Sequence, residues 1–166
     1  VVNLITLKLR REDDRLCVEI GKLKPRTHTI TFNKPRLPGT KLRAGELPKQ
    51  ALDRLLRSEE FGNVTIEVSG AGKTQNEISA SGRYGVVTRY VKTTFDAFRS
   101  TATQIQVLSL PNAELDILDD AELFLTTQDY QDKEEILVYA WLTDSEVKML
   151  GEMEVDGKQV EILSQM

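Results

Sequence analysis

Two side chains that many active sites draw on are almost missing here: the 166 residues hold one cysteine, Cys17, and one histidine, His28. A lone cysteine forms no internal disulfide, which suits a reducing compartment or a thiol packed as a small hydrophobe. One His and one Cys build no zinc site. A Ser-His-Asp or Cys-His arrangement would have to use these two residues, and nothing beside them marks either as activated. Long apolar runs are absent as well. None approaches the roughly 18 residues of a membrane-crossing helix, and Lys8 breaks the opening apolar stretch before it resembles a signal peptide. We therefore expect a soluble, intracellular, cytoplasmic protein that uses no membrane, metal or cofactor and shows no catalytic signature in its sequence.

Two further absences are regional. Residues 21–45 contain no carboxylate, yet hold seven Lys or Arg, the only His and three of the five Pro. Residues 101–166 contain no Arg, and set 3 Lys against 15 Asp and Glu, a net charge of -12. Residues 1–50 carry 12 Lys and Arg against 5 Asp and Glu, net +7, so the overall charge of -4 conceals a strong division. Such a division fits a basic face for polyanions opposed by an acidic part, or two halves that attract each other within or between molecules. A chain of this length is expected to form one domain, residues 1–166, with a basic N-terminal half to about residue 100 and an acidic part after it.

The apolar pattern points to strands joined by short turns. Ile5, Leu7 and Leu9 alternate with more polar residues, and Leu16, Val18 and Ile20 repeat the pattern after the charged turn at residues 11–14, which reads as a hairpin. Residues 27–32 form a third strand with His28, Ile30 and Phe32 on one face. Pro35, Pro38 and Gly39 predict a loop over 33–46. Pro48 opens a helix whose stripe is Ala51, Leu52, Leu55 and Leu56, with Gly62 as a stop. Val64, Ile66 and Val68 make a strand, and Ile78 and Ala80 a weaker partner after a loop over 70–76.

Val87, Tyr90, Val91, Thr94, Phe95 and Phe98 recur at three- and four-residue spacing, which predicts a second helix presenting Arg89, Lys92, Asp96 and Arg99 outward. Ile105 and Val107 mark a short strand, ended by Pro111. Residues 136–142 are apolar on both faces, as a strand covered on both sides must be. Ser145 is a candidate cap for a helix stopped by Gly151, and Asp156-Gly157 is the turn of a last hairpin. The expected fold is α+β: a mainly antiparallel sheet with two or three helices packed on one face.

Few motifs carry chemistry. Gly70-Ala71-Gly72-Lys73-Thr74 has the tail of a phosphate-binding loop, but the first glycine of that motif is replaced by Glu67 and no helical period follows. Asp116, Asp119, Asp120 and Glu122 offer paired carboxylates, and Asp144, Glu146 and Lys148 the acidic-and-lysine set of some nucleases. The second set opens a predicted helix, where carboxylates are favoured by the dipole alone. Residues 129–135 lack the glycine and spacing of a calcium loop.

The basic stretch remains. Lys22, Lys24, Arg26, Lys34, Arg36, Lys41 and Arg43, extended by Arg83, Arg89, Lys92 and Arg99, suit phosphate contacts, and Phe32 offers a surface on which a base could stack. The expected function is a non-enzymatic accessory protein that binds nucleic acid or another polyanion, with single strands slightly favoured. The alternative is a self-assembling scaffold subunit, its basic N-terminal part meeting the acidic C-terminal part of the next copy. Leu137, Tyr139 and Trp141 are then the candidate anchors, although burial in the sheet explains them better.

Overall fold

The structure, a computed structural model, describes residues 1–58, 66–81, 86–99, 106–108, 122–125, 134–153, 157 and 159–161. Its elements are β1 (Val2–Arg10), β2 (Leu16–Lys24), β3 (Thr29–Arg36), β4 (Gly39–Lys41), α1 (Pro48–Arg57), β5 (Ile66–Ser81), β6 (Val86–Arg99), β7 (Gln106–Leu108), β8 (Glu122–Leu125), β9 (Ile136–Leu142), α2 (Asp144–Glu152) and β10 (Gln159–Glu161). All ten described strands join one sheet along the path β5-β6-β1-β2-β9-β8-β7, with β3 and β10 branching from β2 and β4 lying beside β1. Among the described pairs only β1 with β6 is parallel. The chain is thus α+β, with a large, mostly antiparallel sheet and two helices.

The sheet is anchored on β9. Ile136, Val138, Ala140 and Leu142 enter one core with Leu16, Val18, Ile20, Leu23, Ile30 and Phe32, capped by Leu150 of α2. Tyr139 and Trp141 enter a second core with Ile5, Leu7, Leu9, Cys17 and Phe95, capped by Ala51, Leu52 and Leu55 of α1. The helices therefore serve opposite faces, not the single face expected. A strand apolar on both sides needs cover on both, and one helix goes to each. Trp141 is fully buried, stacked on Phe124 at 5.1 Å between centroids, with the guanidinium carbons of Arg99 and Arg11 at 5.1 and 5.5 Å from its ring.

Local chemistry explains the helix ends. Pro48 sits at the start of α1, and Gln50 Oε1 accepts the Leu47 amide at 2.8 Å. The helix stops at Ser58, short of the predicted Gly62, because Ser58 N–H and Oγ both donate to the Leu55 carbonyl, at 3.1 and 2.7 Å. In α2 the cap is Thr143, not Ser145: its Oγ1 accepts the Glu146 amide at 3.2 Å while Glu146 Oε1 accepts the Thr143 amide at 2.8 Å. The helix then runs through Gly151 to Glu152.

The largest departure from expectation is the predicted second helix, which is β6. It forms a long hairpin with β5, and β5 continues through the predicted loop over 70–76 by way of an irregularity between Ser69 and Lys73. Gly72 sits there at φ +82, where an added Cβ would meet the Phe95 ring at 2.9 Å. The predicted strand and loop features at Gly62, Val64, Ile105, Pro111 and Asp156 lie outside the described residues. Within them, β10 pairs antiparallel with β3. No described helix is long and apolar enough to cross a membrane.

Candidate nucleic-acid interface

The basic stretch lies where the sheet forks. β1 and β2 pair only at Arg10 and Leu16. Beyond that point β1 takes β4 and β6 as neighbours, while β2 takes β3 and β9. The chain crosses the opening from Arg36, opposite Glu19, to Gly39, opposite Thr6. Pro35 is tolerated in β3 because the ladder to β2 is irregular between Phe32 and Arg36, so its missing N–H breaks no regular bond. Pro38 supplies only its carbonyl, which accepts the Leu7 amide at 2.8 Å. Gly39 brings the crossing close to β1, for a Cβ there would run into the Ile5 carbonyl oxygen.

This crossing roofs a cleft of about 650 Å³ whose walls include Leu4, Leu37, Tyr139, Glu19, Arg36, Lys41 and Lys92. A second, smaller cleft of about 370 Å³ lies between β2 and β3, lined by Lys22, Lys24, Thr31, Asn33, Arg36 and Glu135. Arg36 is common to both. Its Nε donates to Glu19 Oε2, and the Glu19 side chain is only 7% exposed while that of Arg36 is 61% exposed. A buried carboxylate needs such a partner, and the rest of the guanidinium remains open to a ligand.

A helix steadies the far end of the crossing. Arg54 of α1 donates to Glu46 Oε1 and Oε2 at 2.9 and 3.0 Å and to the Lys41 carbonyl at 2.8 Å. The hydrogen bond from Arg54, joined by one from the Arg43 amide, holds the Glu46 carboxyl down at about 2. Lys41 and Arg43 are exposed on either side of this clamp.

Of the other cations expected at the site, Lys22, Lys24 and Lys92 line the two clefts, while Arg26, Lys34 and Arg89 line neither. Lys24 and Arg26 are exposed. Lys22 Nζ lies 3.9 Å from Glu135 and Lys92 Nζ lies 4.0 Å from Glu77. Arg89 donates to Asn76 Oδ1 at 3.3 Å. Because β6 is a strand, Arg89 and Lys92 fall on opposite faces of it rather than on one helical stripe. Lys34 is exposed on β3. Arg83 lies outside the described residues.

Phe32 borders the smaller cleft, but at 3% exposure its ring belongs to the core and leaves little surface on which a base could stack. Tyr139 and Trp141 are likewise buried, at 1% and 0%, and are no interface anchors, while Leu137 is half-buried. Sequence reasoning missed Glu19 and Arg54. Glu19 carried a signal, being a carboxylate in a strand whose other residues are mostly apolar.

His28 and Cys17 do not meet. Cys17 is near one end of β2 and His28 follows the other, roughly 23 Å away by strand rise. Burial pushes the Cys17 thiol far up, away from the thiolate. Of the carboxylate sets, Asp116, Asp119 and Asp120 lie outside the described residues. Asp144 and Glu146 stand near Arg10 and Arg15, at 3.4 and 3.2 Å. The arrangement at the fork can hold anions. Comparison with protein-family models and with curated proteins gives no match.

Proposed function

We propose that this protein binds the phosphate backbone of nucleic acid along the fork of its sheet, without catalysing a reaction. The observation that carries the reading is the position of Arg36 in the wall of both clefts. It links Lys22 and Lys24 on one side to Lys41 and Lys92 on the other. Five cations then face three carboxylates, Glu19, Glu135 and Glu77, and a guanidinium with one edge free suits bidentate contact with phosphate. With Phe32 in the core, recognition would run through the backbone, with no preference for single strands built on stacking.

The test is a fluorescence anisotropy titration of labelled single-stranded and duplex oligonucleotides at several salt concentrations. Five phosphate contacts predict a slope of log affinity against log salt near about -4.5 for duplex and about -3.5 for single strands. Lys24→Ala and Lys41→Ala should each reduce that slope by about one. They are cleaner probes than Arg36→Ala, which strands the Glu19 carboxylate. Binding with no salt dependence, or unchanged by both substitutions, would sink the proposal.

Head-to-tail assembly through the same charges is less well supported. Arg10 with Asp144, Arg15 with Glu146 and Lys22 with Glu135 already join the basic and acidic parts inside one chain. If Lys41→Glu converted a large particle to a monomer, assembly would be the better reading.

A further inference from the structure

β5 is an edge. Among the described residues no strand pairs with its outer side, and described side chains from Glu67 to Ile78 are exposed throughout. The hairpin also overruns its support. β1 accompanies β6 only from Tyr90 to Phe98, so the ladder from Ile78 with Arg89 to Ser81 with Val86 extends beyond it. Ile78 and Val87 near that end are 75% and 64% exposed. A two-stranded ribbon is marginal alone, and a long edge with unused backbone donors and acceptors is a template for another strand.

Proteins that keep such an edge single use proline, charged side chains or bulges along it, and β5 has such an irregularity only between Ser69 and Lys73. From Lys73 to Ser81 there is no proline, and the two charges, Lys73 and Glu77, are opposite in sign. They lie four residues apart, hence on one face of the strand. Antiparallel pairing of this segment with itself about a two-fold axis at Gln75 sets Thr74 against Asn76, and sets Lys73 of each copy against Glu77 of the other. Directly opposed unlike charges favour that register, and the symmetry forms the pair twice.

We infer that β5 is a self-association strand, through which two copies of this chain join edge to edge in an antiparallel dimer centred on Gln75. The interface meets the basic fork only where Glu77 lies 4.0 Å from Lys92, and it does not depend on what the fork binds.

Sedimentation velocity over a concentration series tests it. The wild-type chain should show a reversible monomer-dimer equilibrium. Lys73→Glu and Glu77→Lys each place like charges opposite one another twice, and each should weaken the dimer by roughly tenfold or more. An equimolar mixture of the two variants restores unlike charges at both positions and should recover the dimer. Glu77 also lies near Lys92, so recovery in the mixture, rather than loss in one variant, is the decisive reading. Amide exchange at residues 73–77 should slow as concentration rises, a readout that needs no substitution. A chain monomeric at all concentrations, a dimer indifferent to both variants, a mixture that stays monomeric, or exchange independent of concentration would overturn the inference.

Discussion

β9 and β5 show how little the length of a strand says about its work. β9 has seven residues, and both faces are covered, one by each helix-capped core. β5 has sixteen residues, more than twice as many, and from Glu67 to Ile78 its described side chains are exposed. The short strand organises the core, while the long one is held mainly by hydrogen bonds to a single described neighbour. Stability is concentrated where apolar side chains meet partners on two sides, and surface available to other molecules accumulates where they meet none.

The contrast is broken most severely by truncation at its two poles. Trp141→Ala removes a fully buried ring together with its stacking on Phe124 and the two guanidiniums, and should cost about 3–5 kcal/mol in urea unfolding. Ile78→Ala, on a side chain 75% exposed, should stay within about 0.5 kcal/mol. Comparable losses at both sites would show the hairpin to be as well packed as the centre.

A finer comparison uses two glycines within the hairpin itself. Gly70 and Gly72 share nearly the same positive φ, +79 and +82, but an added Cβ meets nothing within 4 Å at the first and the Phe95 ring at the second. Gly70→Ala should cost about 1 kcal/mol from backbone strain alone, and Gly72→Ala clearly more. Thermal unfolding of the pair would separate strain from crowding; equal effects would mean that Phe95 moves aside freely.

The smallest effect expected is acidic. Glu46 and Asp13 both titrate near 2, against ordinary values of 4.5 and 3.8, because Arg54 and Arg11 donate hydrogen bonds to them. A lowered carboxyl lends stability that is full above its unfolded value and drains as pH falls toward the folded one. Stability should therefore decline modestly from about pH 4.5 to pH 2. Glu46→Gln should remove part of that slope, read from denaturation midpoints across the range, and leave the midpoint pH dependence above pH 5 unchanged.

Much of the fold is legible in the residues. The alternations in β1 and β2, the proline-led α1 and the two-sided β9 follow directly from period and composition, whereas β3 begins at Thr29, past His28, and with β4 runs into the stretch read as a loop over 33–46. β6 does not, for a definite reason. Val87, Val91 and Phe95 form one series at four-residue spacing, and Tyr90, Thr94 and Phe98 another. On a helix both series share a stripe; on a strand each occupies its own face. The β-branched and aromatic content of the segment is what breaks the tie. At the fork, Arg36 and Lys41 stand out as cations in a carboxylate-free stretch, whereas Arg54 depends on how α1 docks. The burial of Phe32 was already implied by its shared face with Ile30.

The parallel pairing of β1 with β6 has a consequence in time. Thr6 meets Thr94 across 88 residues, and Arg15 reaches the Trp141 carbonyl across 126. The first two strands leave the ribosome long before the partners that cover them. At about 5–20 residues per second the wait is roughly 6 to 25 seconds, during which Ile5, Leu7, Leu16 and Val18 have no finished core to enter. Contacts this distant in sequence also slow the final search. During synthesis β1 and β2 thus pass through an interval in which their apolar side chains wait uncovered for β6 and β9.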